Sequence, residues 1–234
     1  MNNVLITGTS SGLGYSLAKA LKDKYNVYGL SRSKSDLDIV NIECDLTSRE
    51  SIDNALKQIP TSIKNFEYVI LNAGMLGRLK PIEQLTEQEF EDTMMTNFLS
   101  NKIILDTLMS NFKVNTVFGI SSGASEKPYY GWSLYCCSKA AFRQLLNVYS
   151  VEKTDTSFYS VCPGPFKSKM QDYIYIQDES EIPSVEKFKK MHKDLISSDK
   201  MAEFIVTHLN IFDGISSGAY VDLRKVQDDL LLRP

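Results

Sequence analysis

The chain has 234 residues, of which 43% are apolar and 24% charged, and 26 Lys and Arg set against 29 Asp and Glu leave a net charge of −3. These proportions suit a folded globular chain and argue against disorder. The acidic balance argues against nucleic-acid binding, which needs a dominant basic field, and no apolar run approaches the roughly 20 residues of a membrane span.

The first predicted element is a strand over 3–7, built on Val4-Leu5-Ile6. The opening decapeptide carries no basic n-region, so a signal peptide is not expected. TGTSSGLG (residues 7–14) follows, then a helix over 13–23 with Leu13, Leu17, Ala20 and Leu21 on one stripe. In such a turn Gly8 allows the tight bend, Gly12 lets the backbone approach a pyrophosphate, and Gly14 lets the helix pack on the sheet. The N–H groups at the helix start attract anions. A second strand over 26–30 ends at Ser31-Arg32-Ser33. An acidic residue there would take a ribose 2′-OH, whereas Arg32 can pair with a 2′-phosphate, which favours NADP. Asp36 and Asp38 come too late in the chain for the 2′-OH role.

A third strand over 39–43 leads to Asp45-Leu46 and a helix over 48–59. Asp45 either caps that helix, together with Thr47 or Ser48, or hydrogen-bonds an adenine amine. A fourth strand over 68–71 ends at Asn72-Ala73-Gly74, and a long helix is predicted over 87–110. The fifth strand, over 116–120, ends at Ser121-Ser122. A hydroxyl at the C-terminal end of a parallel strand can bond a substrate carbonyl and its developing oxyanion. In the helix over 133–152, Tyr135 and Lys139 stand four residues apart and so share a face. A neighbouring ammonium favours the phenolate, so Lys139 is expected to lower the Tyr135 pKa. A sixth strand over 157–161, a helix over 199–211 and a strand over 219–222 complete the alternation. Between them, residues 163–198 form a long excursion with its own short helices or a functional lid. Strand–helix alternation implies a parallel sheet covered on both faces, hence a three-layer, doubly wound α/β fold of about seven strands in a single domain over 1–234.

Cys44, Cys136, Cys137 and Cys162 form no CxxC, and His192 and His208 are the only histidines, so no metal site is expected. The adjacent Cys136 and Cys137 are poor disulfide partners and read as small buried hydrophobes, and a reducing, cytoplasmic setting fits. No GxSxG is present, which disfavours a Ser-His-Asp hydrolase.

The set TGTSSGLG, Asn72-Ala73-Gly74, Ser122, Tyr135-x-x-x-Lys139 and Pro163-Gly164 resembles the classical short-chain dehydrogenase/reductase family over essentially the whole chain. The resemblance implies that Tyr135 gives a proton to a carbonyl oxygen, Lys139 holds the nicotinamide ribose, Ser122 orients the carbonyl and Asn97 holds a proton-relay water. It implies cofactor contacts from Gly8, Ser10, Ser11, Gly12, Leu13, Gly14, Arg32, Asp45, Leu46, the 72–74 turn, Tyr135 and Lys139. Pro163, Gly164, Phe166 and Ser168 match the loop that contacts the nicotinamide carboxamide. Family members that use NADP often carry a basic residue just before the second glycine, where this chain has Ser11, so Arg32 alone supports NADP.

A narrower likeness covers residues 131–136, 163–166 and 217–222. These segments are similar to sepiapterin reductases and bacterial benzil reductases, which implies substrate contacts from Trp132 and an anchoring carboxylate at Asp222. The resulting expectation is an NADPH-dependent reductase of a small-molecule ketone or diketone, with no nucleic-acid or membrane partner. The alternatives are a reductase of acyl-carrier-linked or sugar ketones, or a silent dinucleotide sensor. Relatives assemble as homodimers or homotetramers through the helices predicted over 87–110 and 133–152, where Phe98, Ile103, Leu105 and Leu145 serve either that bundle or the core.

Overall fold

β1 (Asn3–Thr7) shows how the sheet is buried. Val4 and Ile6 enter one apolar cluster and Leu5 enters another, because successive strand side chains point to opposite faces. The computed structural model describes residues 1–226; residues 227–234, included in the expected single domain, lie outside the described residues. Six further strands follow: β2 (Asn26–Ser31), β3 (Val40–Glu43), β4 (Asn65–Leu71), β5 (Lys113–Ile120), β6 (Ser157–Cys162) and β7 (Tyr220–Asp222). They form one sheet in the order β3-β2-β1-β4-β5-β6-β7, every neighbouring pair parallel. The expected three-layer Rossmann architecture of about seven strands is therefore observed.

α1 (Gly12–Leu21) and α8 (Ser198–Thr207) cover one face through Leu17, Leu21, Met201 and Phe204. α2 (Arg49–Leu56), α4 (Ser100–Asn111) and α5 (Ser133–Glu152) cover the other through Ile52, Ile104, Leu105, Phe142 and Leu146. Ile103 and Leu105 thus belong to the core, while Phe98 and Leu145 are half-buried. α5 can lie close on the sheet because β5 offers Gly119 there: a Cβ would stand 2.4 Å from Leu146 Cδ1.

Three expectations need correction. The predicted helix over 87–110 is α3 (Glu87–Met94), a π-turn (Met95–Leu99) and α4 in series. The wide turn forms where Asn97 is pulled inward by tertiary hydrogen bonds, which helical periodicity does not report. α8 stops at Thr207, and His208 Nδ1 donates to the Phe204 carbonyl at 2.8 Å, after which Leu209–Gly214 is a 3-10 helix. Cys137 is exposed and Cys136 half-buried, because α5 turns Tyr135, Ser138 and Lys139 inward and leaves the intervening positions at the edge.

The excursion between β6 and α8 holds α6 (Lys169–Tyr175) and α7 (Glu186–Met191). Ile174, Val185 and Phe188 pack against Leu76, Leu79, Trp132 and Tyr135 in a third apolar cluster, beyond the end of the sheet. The last described element, α9 (Leu223–Val226), starts directly after β7.

Candidate active site

The order of the strands creates the site. The chain leaves β1 toward β3 and then returns past β1 to β4, so the loops after β1 and β4 diverge and leave a crevice at the strand C-termini. A cavity of about 870 Å³ lies there. Every residue expected at the site lines it except Gly14, Asn97 and Asp222.

The glycine turn is locked from beneath. Thr7 Oγ1 accepts from the backbone N–H groups of Asn72 and Ala73 at 2.9 and 3.0 Å, and Asn72 Nδ2 donates to Thr7 O at 2.9 Å. Gly8 adopts φ 80°, a left-handed conformation that a side chain resists. Gly14 sits behind the cavity wall because its service is packing: a Cβ there would meet Gly8 O at 2.2 Å and Asn72 Nδ2 at 2.5 Å. Gly12 differs, since a Cβ on it would meet nothing within 4 Å.

The start of α1 is built to receive an anion. Its N-cap, Ser11, makes no side-chain capping bond, and no acidic residue stands in the first turn. By contrast Ser48, Thr86, Ser168 and Ser197 each accept from a backbone N–H at the start of α2, α3, α6 and α8. The first-turn donors of α1 therefore face the crevice uncapped by a side chain, where they and the helix dipole attract phosphate. With the open face of Gly12 and the volume of the crevice, the residues present fit a dinucleotide. Arg32 is exposed at the same rim, after β2. Asp45 turns out not to cap α2. It accepts from the N–H and hydroxyl of Thr47 at 2.9 and 2.8 Å, and those bonds hold its carboxyl below the usual range despite partial burial.

At the other end of the cavity α5 carries Tyr135 and Lys139 on its buried face, in register with Phe142, Leu146 and Tyr149. Lys139 is 4% exposed and donates from Nζ to Ile120 O at 2.8 Å, with Nζ 5.7 Å from the centre of the Tyr135 ring. Burial pushes its pKa down to about 8. Burial also pushes the Tyr135 phenol up to about 12, while a hydrogen bond from Ser122 pulls it the other way. The expectation that Lys139 lowers the phenol is thus corrected: desolvation dominates in this geometry. Ser122 ends the loop after β5, where its Oγ also accepts from Ala124 N at 3.2 Å.

Asn97 stands behind this centre. Its Oδ1 accepts from Met75 N and its Nδ2 donates to Met75 O, both at 2.8 Å, and Nδ2 also donates to Ser138 Oγ at 2.9 Å. Between them lies Gly74: a Cβ there would stand 3.2 Å from Asn97 Oδ1 and 3.3 Å from Lys139 Nζ. The Asn97 side chain is a latch joining the loop after β4 to α5. Asp222 is likewise withdrawn, because both its oxygens accept from Arg224 at 2.8 and 2.6 Å. Arg224 lines the cavity in its place, and Gln171, Phe188 and His192 join it from the excursion. Gln171, Phe188 and His192 were not singled out as site residues from the sequence, since none stands in a motif, and Arg224 follows the 217–222 segment without a role read for it. His192 stacks on Tyr175 with ring centres 4.3 Å apart, and its Nε2 lies 3.7 Å from Asp172 Oδ1. Trp132 stacks on Phe188 at 4.9 Å and meets Tyr135 edge-on at 6.3 Å.

A doubly wound sheet, a phosphate-ready turn and a Ser, Tyr, Lys cluster at the far end of one crevice define the class: a dinucleotide-dependent oxidoreductase. The family follows from comparison, and the chain belongs to the short chain dehydrogenases, whose family model matches residues 2–179. It is 28% identical over 243 residues to the benzil reductase ((S)-benzoin forming) of Bacillus subtilis, covering 96% of this chain and 99% of that one. It is 31% identical to a benzil reductase of Saccharomyces cerevisiae, covering 73% of this chain and 74% of that one. A sepiapterin reductase of Xenopus tropicalis is 24% identical, over 75% of this chain and 69% of its own length. Among solved structures, the KRED1-Pglu enzyme superposes with a TM-score of 0.83 at 22% identity, over 94% of this chain and 100% of that one.

Proposed function

We propose that this protein is an NADPH-dependent carbonyl reductase that converts a ketone or diketone to an alcohol. The observation that carries the reading is the placement of Ser122, Tyr135 and Lys139 around one end of a crevice whose other end is an uncapped helix start. The benzil reductase relatives, named for forming (S)-benzoin, support a diketone. When bound, the nicotinamide dinucleotide supplies the hydride. The α1 N-terminus and the 8–13 turn hold its phosphates, Arg32 pairs with a 2′-phosphate, and the loop 163–168 borders the nicotinamide end.

The protein's own residues then manage the proton. Ser122 bonds the substrate carbonyl oxygen and holds it against the phenol. Because burial keeps Tyr135 protonated far above neutral pH, the phenol is a reservoir that yields its proton only to a strong base, and an alkoxide forming on the substrate is such a base. The Lys139 ammonium, anchored on Ile120 O, stabilises the phenolate left behind. Asn97 fixes the loop and helix that carry these groups. Residues 165–198 serve as the substrate lid of the single domain. The exposed Leu99 at the end of the π-turn and Val148 and Val151 on α5 suit a homodimer, and four unpaired cysteines suit a reducing cytoplasm.

The test pairs Tyr135→Phe with cofactor titration. Wild type should bind NADPH more tightly than NADH and consume it with benzil. The variant should keep NADPH affinity and lose turnover by roughly 10²–10⁴ or more, the scale of general-acid catalysis. Unchanged turnover would reject the mechanism, and equal affinity for both dinucleotides would reject the role of Arg32.

A further inference from the structure

The substrate end of the crevice carries a polarity that neither the fold nor the relatives specify. Asp222 is 9% exposed and does not line the cavity. Its Oδ1 accepts from the Arg224 backbone N–H at 3.2 Å and from Nε at 2.8 Å, and its Oδ2 accepts from Nη2 at 2.6 Å. Three of the roughly four lone-pair sites of this carboxylate are thus taken by Arg224, which leaves little of it for a donor edge of a substrate. Arg224 stands in front of it. Its stem crosses the loop after β6, where a Cβ on Gly164 would lie 2.8 Å from Arg224 Cδ, and a Cβ on Gly123, next to Ser122, would lie 3.8 Å from Nη2. The guanidinium thus reaches the backbone at Gly123, the residue after Ser122.

A guanidinium carries five N–H donors in one plane, arranged so that a carboxylate can be gripped along either of two edges. Asp222 takes the Nε–Nη2 edge. The Nη1–Nη2 edge remains, and among the described residues no protein acceptor is recorded for Nη1. The side chain is 47% exposed and lines the cavity. Lys167 and Lys169 line the same cavity, and neither has a salt-bridge partner among the described residues. The carboxylate nearby on the lid, Asp172, leans toward His192 at 3.7 Å. The local field therefore favours an anion.

We propose that Arg224 is a specificity-determining residue that selects a carbonyl compound bearing a carboxylate, an oxo acid, by gripping that carboxylate on its open edge. This rests on the carbonyl-reductase reading above and names its substrate class. The reaction places a hydride on the keto carbon and a proton from Tyr135 on its oxygen, turning C=O into CH–OH. The carboxylate passes through unchanged, and the reduced dinucleotide is oxidised in balance. Asp222 acts behind Arg224 by holding its plane toward the reacting carbonyl.

Phenylglyoxylate and its methyl ester test this, since they differ only in the acid. With the full chain and NADPH, kcat/KM for the acid should exceed that for the ester by roughly tenfold or more, the scale of a charge-assisted hydrogen bond. Arg224→Met should raise KM for the acid by about 10–100-fold with little change for the ester, and Arg224→Lys should restore part of the loss. Calorimetric binding of the acid to protein loaded with the oxidised dinucleotide should vanish in the Met variant. An ester as good as the acid, or a KM rise shared by both, would overturn the proposal; the second outcome would show that Arg224 merely shapes α9. If benzil is reduced and the acid is not preferred, only this inference fails. If no carbonyl is reduced yet Arg224-dependent binding of the acid persists, the general reading fails and with it the role in substrate choice, leaving only the carboxylate grip of Arg224.

Discussion

At the scale of single residues, two buried titratable groups on one helix face define the chemistry and also tax the fold. The folded pKa of Lys139 is lowered to about 8 from 10.5, so between those values the unfolded chain binds the extra proton. Stability therefore rises with pH across that window, because the native state no longer has to keep an ammonium out of water. Tyr135 acts in the opposite sense: its pKa, raised from 10.0 to about 12, withdraws stability above pH 10. Urea unfolding of wild type and Lys139→Met, compared from about pH 7 to 10, should show the stability difference moving toward wild type as pH climbs above 8. A difference that stays flat would mean the ammonium is better solvated than its burial implies. This pair was legible in the sequence because spacing of four residues on a helix is geometry in itself. His192 was not, since it is a solitary residue brought to the crevice by packing of distant segments, and Arg224 was legible only as the close neighbour of Asp222, not as the side chain that reaches the crevice. The sense of the phenol shift was misjudged for a related reason: a neighbour can be read from spacing, whereas burial cannot.

At the scale of elements, the glycine turn, β4 and α1 form one joint. Thr7, Asn72 and Ala73 tie the two strand ends together, and Gly14 admits Gly8 O where a methyl group has no room. Gly14→Ala should therefore cost about 1–3 kcal/mol, as overpacking of a tight contact does. In a domain of this length that lowers Tm by roughly 2–4 °C per kcal/mol. On the proposed function NADPH affinity should fall with it, because the joint that must spread is the one proposed to hold the phosphates. A melting temperature equal to wild type would show that the joint relaxes freely. Strand existence within this region was readable from apolar runs and glycine punctuation. The π-turn at Met95–Leu99 was hidden, because apolar periodicity continues through it and its cause, the Asn97 latch onto Met75 and Ser138, is tertiary.

At the scale of the whole molecule, Leu99 at the end of the π-turn and Val148 and Val151 on α5 are 41%, 40% and 74% exposed. Exposed apolar side chains of this kind suit a self-complementary interface. Light scattering should return a mass about twice, or four times, the 26.4 kDa of the chain. Val148→Lys together with Val151→Lys should return the monomer with the melting curve of its core intact. A monomeric wild type would leave those side chains as ordinary surface. The layered sheet was legible from alternation alone, since parallel strands demand covering helices on both faces. The excursion itself was legible from its length and broken rhythm, but its packing onto Trp132 was not, because that contact depends on a neighbour far away in sequence.

The chain has a single tryptophan, and it is Trp132, sandwiched between Phe188 of α7 and the rim of the Tyr135 ring. The indole is thus a native fluorophore in the wall of the crevice, between α7 and the phenol. Its emission should respond to any ligand that disturbs those ring contacts, with no label to attach and no competing indole to subtract.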